Sequence, residues 1–159
     1  MKLNEKRILY LAFALLIVAV IVALIVIFNH KQVTCTNVSN QTKNGYVYET
    51  KYIIKSSGNI VDTINIKETV TSDDSEKLSN FKKQFDEQYE YNKKNYGGFD
   101  YTIKQKNNKV TTDININYKE FNMKKFIKNN VAMKKYTKNN KLTLDGAKKM
   151  YESSGATCK

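Results

Sequence analysis

Few residues in this chain have types and spacing that suit chemistry. Among 159 residues there are two cysteines, Cys35 and Cys158, and one histidine, His30. The cysteines bracket the polar part of the chain and none lies between them, so they read as a disulfide made in an oxidising compartment. Closing a loop of that length restricts the unfolded chain by roughly 4 to 5 kcal/mol in the loop-entropy picture. Zinc is not expected, because there is one histidine and no C-x-x-C pair. Lipidation of Cys35 is not expected either, since Gln32, Val33 and Thr34 precede it instead of small aliphatic residues.

Catalytic patterns are missing from the rest of the inventory. Ser153 and Ser154 have no histidine partner, and Glu87, Glu90 and Asp100 stand among lysines as solvated carboxylates do. His30 adjoins an apolar run and reads as an interfacial residue. No triad, zincin or phosphate-loop spacing occurs, so the chain is expected to be no enzyme and to need no cofactor. Two sequons, Asn37-Val38-Ser39 and Asn40-Gln41-Thr42, would accept glycans only in a suitable secretory pathway.

Charge is the strongest remaining signal. The chain has 27 Lys and Arg against 15 acids, a net of +12, and from His30 onward it has 24 Lys, no Arg and 14 acids. Nucleic-acid readers depend on the bidentate fork of Arg, so a domain without Arg is not expected to recognise specific nucleic acid. Ten of the lysines fall between Lys119 and Lys149 against only Glu120 and Asp145. Lys124, Lys125, Lys128, Lys134, Lys135, Lys138 and Lys141 are the candidate contacts to a polyanion, either an anionic cell-wall polymer or lipid headgroups, through salt-screened forces. The competing reading is a merely solvated face, or the lysine bias of an AT-rich genome.

These residues need elements to position them. Ile8 to Phe28 is a run of 21 residues without charge, Gly or Pro, long enough as a helix to cross a hydrocarbon core of roughly 30 Å. It is longer than a signal-peptide core and lacks a small-residue cleavage site, so it reads as an uncleaved signal-anchor. Lys2, Lys6 and Arg7 keep the short flank inside, and long domains translocate largely regardless of charge. The expected layout is a cytoplasmic N-terminus at 1–7, a single transmembrane helix at 8–28, a polar tether at 29–44 and an extracytoplasmic domain at 45–159.

Within that domain the hydrophobic period switches between two and three to four. Tyr46, Tyr48, Thr50, Tyr52 and Ile54 alternate with polar residues, and after the Ser56-Ser57-Gly58-Asn59 turn Ile60, Ile64, Ile66 and Val70 continue the pattern. Asp73 and Glu76 then open a helix whose apolar stripe is Leu78, Phe81, Phe85 and Tyr89, ending at Gly97 and Gly98. A second hairpin follows, with Phe99, Tyr101 and Ile103 before Asn107-Asn108 and Val110, Ile114, Ile116 and Tyr118 after it. A basic connection with one or two helical turns leads to a helix capped by Thr143 and ended by Gly155. The expected fold class is α+β: a two-layer ββαββα domain with a four-stranded antiparallel sheet, both helices on one face.

The stretch YGGFDYTIKQKNNKVTTDININY, the basic connection and KLTLDGAKKMYESSG resemble the YehR-like family of small bacterial lipoproteins of unknown function. That resemblance implies a ββαββα fold held outside the cytoplasmic membrane and no particular activity. A transmembrane helix here stands where the family has an acylated cysteine, and the two terminal cysteines are additional. The expected function is a membrane-anchored binding or structural module of the cell envelope. The other expectation is a tethered adaptor that binds a second membrane protein.

Overall fold

The computed structural model describes residues 15–23 and 29–159. Residues 15–23 are helical, with Leu15, Leu16, Val18 and Val22 exposed. The rest of the expected transmembrane run and its basic flank, 1–14 and 24–28, lie outside the described residues. Among the described residues no helix is long and apolar enough to cross a membrane.

The strands are β1 (His30–Gln41), β2 (Tyr46–Ser57), β3 (Ile60–Thr71), β4 (Phe99–Lys106), β5 (Lys109–Asn117), the short pair β6 (Thr137–Lys138) and β7 (Lys141–Leu142), and β8 (Thr157–Cys158). The helices are α1 (Ser75–Tyr96), α2 (Met123–Asn129) and α3 (Leu144–Ser153). The main sheet is antiparallel in the order β4-β5-β3-β2-β1-β8. It therefore has six strands rather than the four expected, because the segment expected as a tether supplies β1 and the chain end supplies β8. β1 pairs with β2 along its whole length, from His30 opposite Ser57 to Gln41 opposite Tyr46. Its hydrophobic period is faint because, among its described side chains, only Cys35 is fully buried, so the paired backbone, more than apolar side chains, holds it in place.

Both long helices cover one face. Along β2 and β3 the inward positions include Tyr52, Ile54, Ile64, Ile66 and Val70, while Lys51, Lys55 and Lys67 point into solvent. The α1 stripe docks on this face through an aromatic chain: Tyr46 meets Phe81, Phe81 meets Phe85, and Phe85 stacks on Tyr89. Asp74 caps α1 by accepting from the Lys77 amide, one residue later than the expected cap. That bond stabilises the ionised carboxylate and holds the Asp74 pKa below its usual value. Gly97 and Gly98, both at positive φ, turn the chain from α1 into β4. α3 covers the other half of the sheet, with Ala147 buried and Tyr151 stacked on Tyr52 at 3.8 Å between ring centroids.

The fully buried core falls into two clusters, which the half-buried Phe85 and Ile103 join. One cluster contains Ile54, Ile64, Leu142 and Ala147, and a second contains Val70, Leu78 and Val110. Between them a row of polar side chains, Thr50, Glu68 and Thr112, crosses β2, β3 and β5 in register, and all three are buried.

Candidate functional site

The lysine-rich connection acquires its shape from a few short-range signals. Asn122 caps α2 by accepting from the Lys125 amide at 3.0 Å. Met123 is buried and Phe126 and Ile127 are half-buried, which turns Lys124, Lys125 and Lys128 outward. A 3-10 turn, Val131–Tyr136, carries Lys134 and Lys135. Asn139 and Asn140, both at positive φ, then make a two-residue turn that sets Lys138 directly opposite Lys141. Two like charges facing each other across a hairpin oppose its formation.

All seven candidate lysines are exposed, and none forms an ion pair with a described residue. Lys124, Lys125, Lys128 and Lys134 come together around one open cleft of about 550 Å³ with Ile127 beneath them. Lys124 also borders a neighbouring groove of about 540 Å³, where Lys141 and Lys119 join it. Lys135 instead lies over the Tyr136 ring, 4.8 Å from its centroid, and Lys138 borders neither depression. Lys125 also donates to the Asn95 side chain at 3.1 Å. The cleft of Lys124, Lys125, Lys128 and Lys134 is an open cationic surface with no carboxylate in its lining, whereas the neighbouring groove also holds Asp62, 4.0 Å from Lys119.

Cys35 and Cys158 are joined by a disulfide, 4.0 Å between Cα atoms. They face each other in the β1–β8 ladder, and the neighbouring Thr34 and Lys159 exchange both backbone hydrogen bonds at 2.9 Å. Asn37, in the first sequon, lies on β1 and donates to the Ser154 carbonyl at 3.0 Å. His30 stands near Ser57, at 3.4 Å. Among the carboxylates considered for catalysis, Asp100 pairs with Lys93 at 2.8 Å and Glu90 with Lys94 at 3.2 Å. Glu87 lies 4.0 Å from Lys83, also on the surface of α1. Among the described residues no group of acids, His or Cys is arranged to hold a metal.

Glu68 escaped the sequence reading. Its signal was available, because residue 68 falls between Ile66 and Val70 on the apolar side of the β3 alternation. The Tyr48 hydroxyl donates to one of its carboxylate oxygens at 2.6 Å and the Tyr89 hydroxyl donates to the other. Burial, reinforced by the charge of Glu68, holds both phenols above the ordinary range. Burial raises Tyr52, Tyr101, Tyr118 and Tyr151 as well.

A phenol that resists ionisation in the folded state contributes stability that is fully present below its unfolded pKa near 10 and is lost as pH rises through the higher folded value. The protein is therefore expected to lose stability above about pH 10. Tyrosinate absorbance at 295 nm checks this: Tyr48 and Tyr89 are expected to stay silent in the native titration and to appear on unfolding in urea. Native and unfolded curves that superimpose would refute the buried pair.

No protein family and no curated protein matches the chain. Two solved structures match the chain. The NMR structure of the E. coli YehR protein superposes with a TM-score of 0.52 at 13% identity, covering 80% of this chain and 91% of the other. The NMR structure of a protein from Streptococcus pneumoniae TIGR4 gives a TM-score of 0.46 at 17% identity, covering 81% and 86%. The domain at 30–159 thus has a YehR-like α+β fold, built on an antiparallel sheet with its helices on one face.

Proposed function

We propose that this chain is a membrane-anchored, extracytoplasmic binding module that contacts anionic cell-wall polymers or lipid headgroups through the cleft of Lys124, Lys125, Lys128 and Lys134. One observation carries the reading: these four lysines gather around one open cleft and none has a carboxylate partner among the described residues. The uncharged run at 8–28 supports the anchor. The Cys35–Cys158 bridge supports an oxidising compartment. The module binds and does not catalyse, and it has no cofactor.

The test is titration of the full-length chain in maltoside micelles with a fluorescent poly(glycerol phosphate). Replacing Lys124, Lys125, Lys128 and Lys134 together by Gln is expected to weaken binding by at least about tenfold, within the roughly 1 kcal/mol that each lysine near an anionic surface contributes. It is also expected to flatten the dependence on salt. A control variant removes the same number of charges elsewhere, at Lys82, Lys83, Lys104 and Lys106. Equal losses in the two variants would leave only diffuse attraction and sink the reading.

A further inference from the structure

Beside Glu68 the two layers leave a cavity of about 190 Å³. Rings of Tyr89, Phe99, Tyr118, Phe121 and Phe126 line it, together with the Glu68 side chain. We infer that this cavity is a binding site for a small organic ammonium, with Glu68 as its counter-ion and the surrounding rings as its cage.

Three physical facts support that choice of ligand. Glu68 is only 9% exposed and belongs to none of the ion pairs. A buried carboxylate without a cation costs free energy that two phenol donors offset only in part. The faces of aromatic rings carry negative potential and attract cations, most effectively where water is excluded. An anion would be repelled by Glu68, and a neutral apolar guest would leave its charge unpaired. Size agrees with this reading, since a cavity of about 150 Å³ admits benzene and this one has room for a trimethylammonium group.

The neighbouring polar network is also incomplete. Thr112, opposite Glu68 in the ladder and outside the cavity lining, is fully buried, and its hydroxyl has no hydrogen-bond partner among the described residues. Asn92 and Phe126, both half-buried, border the cavity and also a surface cleft with Gln88, Tyr91 and Asn129, so they are the side chains that separate the two. The site takes a cation and is separate from the lysine cleft, which takes anions, so either can fail without the other.

The experiment uses the full-length protein in maltoside micelles and needs no variant for its first result. Choline and its neutral isostere 3,3-dimethylbutan-1-ol are titrated while the methyl resonances of Ile66, Ile114 and Ile116 are followed by NMR. Choline is expected to bind at least about tenfold more tightly, the difference a desolvated cation contributes over an aromatic cage. Glu68→Gln, which keeps the shape of the side chain, is expected to abolish that preference.

A parallel arm dopes the micelles with phosphatidylcholine. Shifts seen with free choline assign a soluble ammonium, and shifts seen only with the lipid assign a headgroup. Equal binding of the two isosteres overturns the inference. So does the absence of saturable shifts in every arm.

Discussion

Replacing Cys35 and Cys158 together by alanine is expected to lower the unfolding free energy by about 4 kcal/mol, with the native fold retained at low temperature. The bridge spans 123 positions of sequence, so its main effect is on the unfolded chain, whose ends it holds together. A domain of this size is stable by only about 5 to 15 kcal/mol, so the loss removes a large share of the margin. Local structure amplifies the effect. β8 has two residues and nothing beyond it in the sheet, so without the bridge its hold on β1 rests on a few backbone bonds.

Urea unfolding, with and without reductant, measures this directly, and the reduced chain is expected to show a larger m-value because its unfolded state expands. A difference below about 1 kcal/mol would mean that the reduced ends stay together in the unfolded state. Alkylation of the full-length protein, trapped directly from cells, gives the companion result. Both thiols are expected to label only after reduction, and free labelling of both would count against the proposed oxidising compartment.

The second large effect has a sign opposite to simple helix propensity. Gly146 lies in the first turn of α3, where alanine would ordinarily improve a helix by about 1 kcal/mol. Here a Cβ would stand 2.0 Å from the Tyr136 carbonyl oxygen and 2.7 Å from the Thr143 hydroxyl oxygen. That carbonyl accepts from both the Thr143 backbone amide and the Thr143 hydroxyl, while the Thr143 hydroxyl oxygen accepts from the Gly146 amide as the helix cap. Relieving the clash separates α3 from the turn before β6 and disturbs all three bonds.

Overpacking of this kind costs about 1 to 3 kcal/mol, and loss of the cap about 1 kcal/mol more. Gly146→Ala is therefore expected to destabilise the domain by about 1 to 3 kcal/mol net of the propensity gain. Chemical denaturation decides the matter. A variant as stable as the parent, or more so, would show that α3 does not approach Tyr136 closely.

Much of the architecture was legible one element at a time. The hairpin of β2 and β3, the stripe of α1, the hairpin of β4 and β5 and the cap of α3 at Thr143 all follow from local periodicity and turn residues. Those signals depend on neighbours in the chain, which is why they survive without the fold. β1 was missed for a physical reason: its side chains are largely polar, and the partner that makes it a strand is β2. Glu68 was missed because the alternation around it is otherwise regular, and an acid at an inward position matters only once the layer above it is in place.

By itself the sequence determined an uncharged 21-residue run, an Arg-free basic domain, two cysteines that bracket it and a run of lysines between 119 and 149. Tertiary structure alone decided the six-stranded order, which four lysines share a cleft, and which rings close over the inward-facing Glu68. The reason lies in range. Composition and periodicity are properties of adjacent residues, whereas a cavity or a cleft exists only where segments tens of residues apart, here β3 at 60–71, α1 at 75–96 and α2 at 123–129, close on one another.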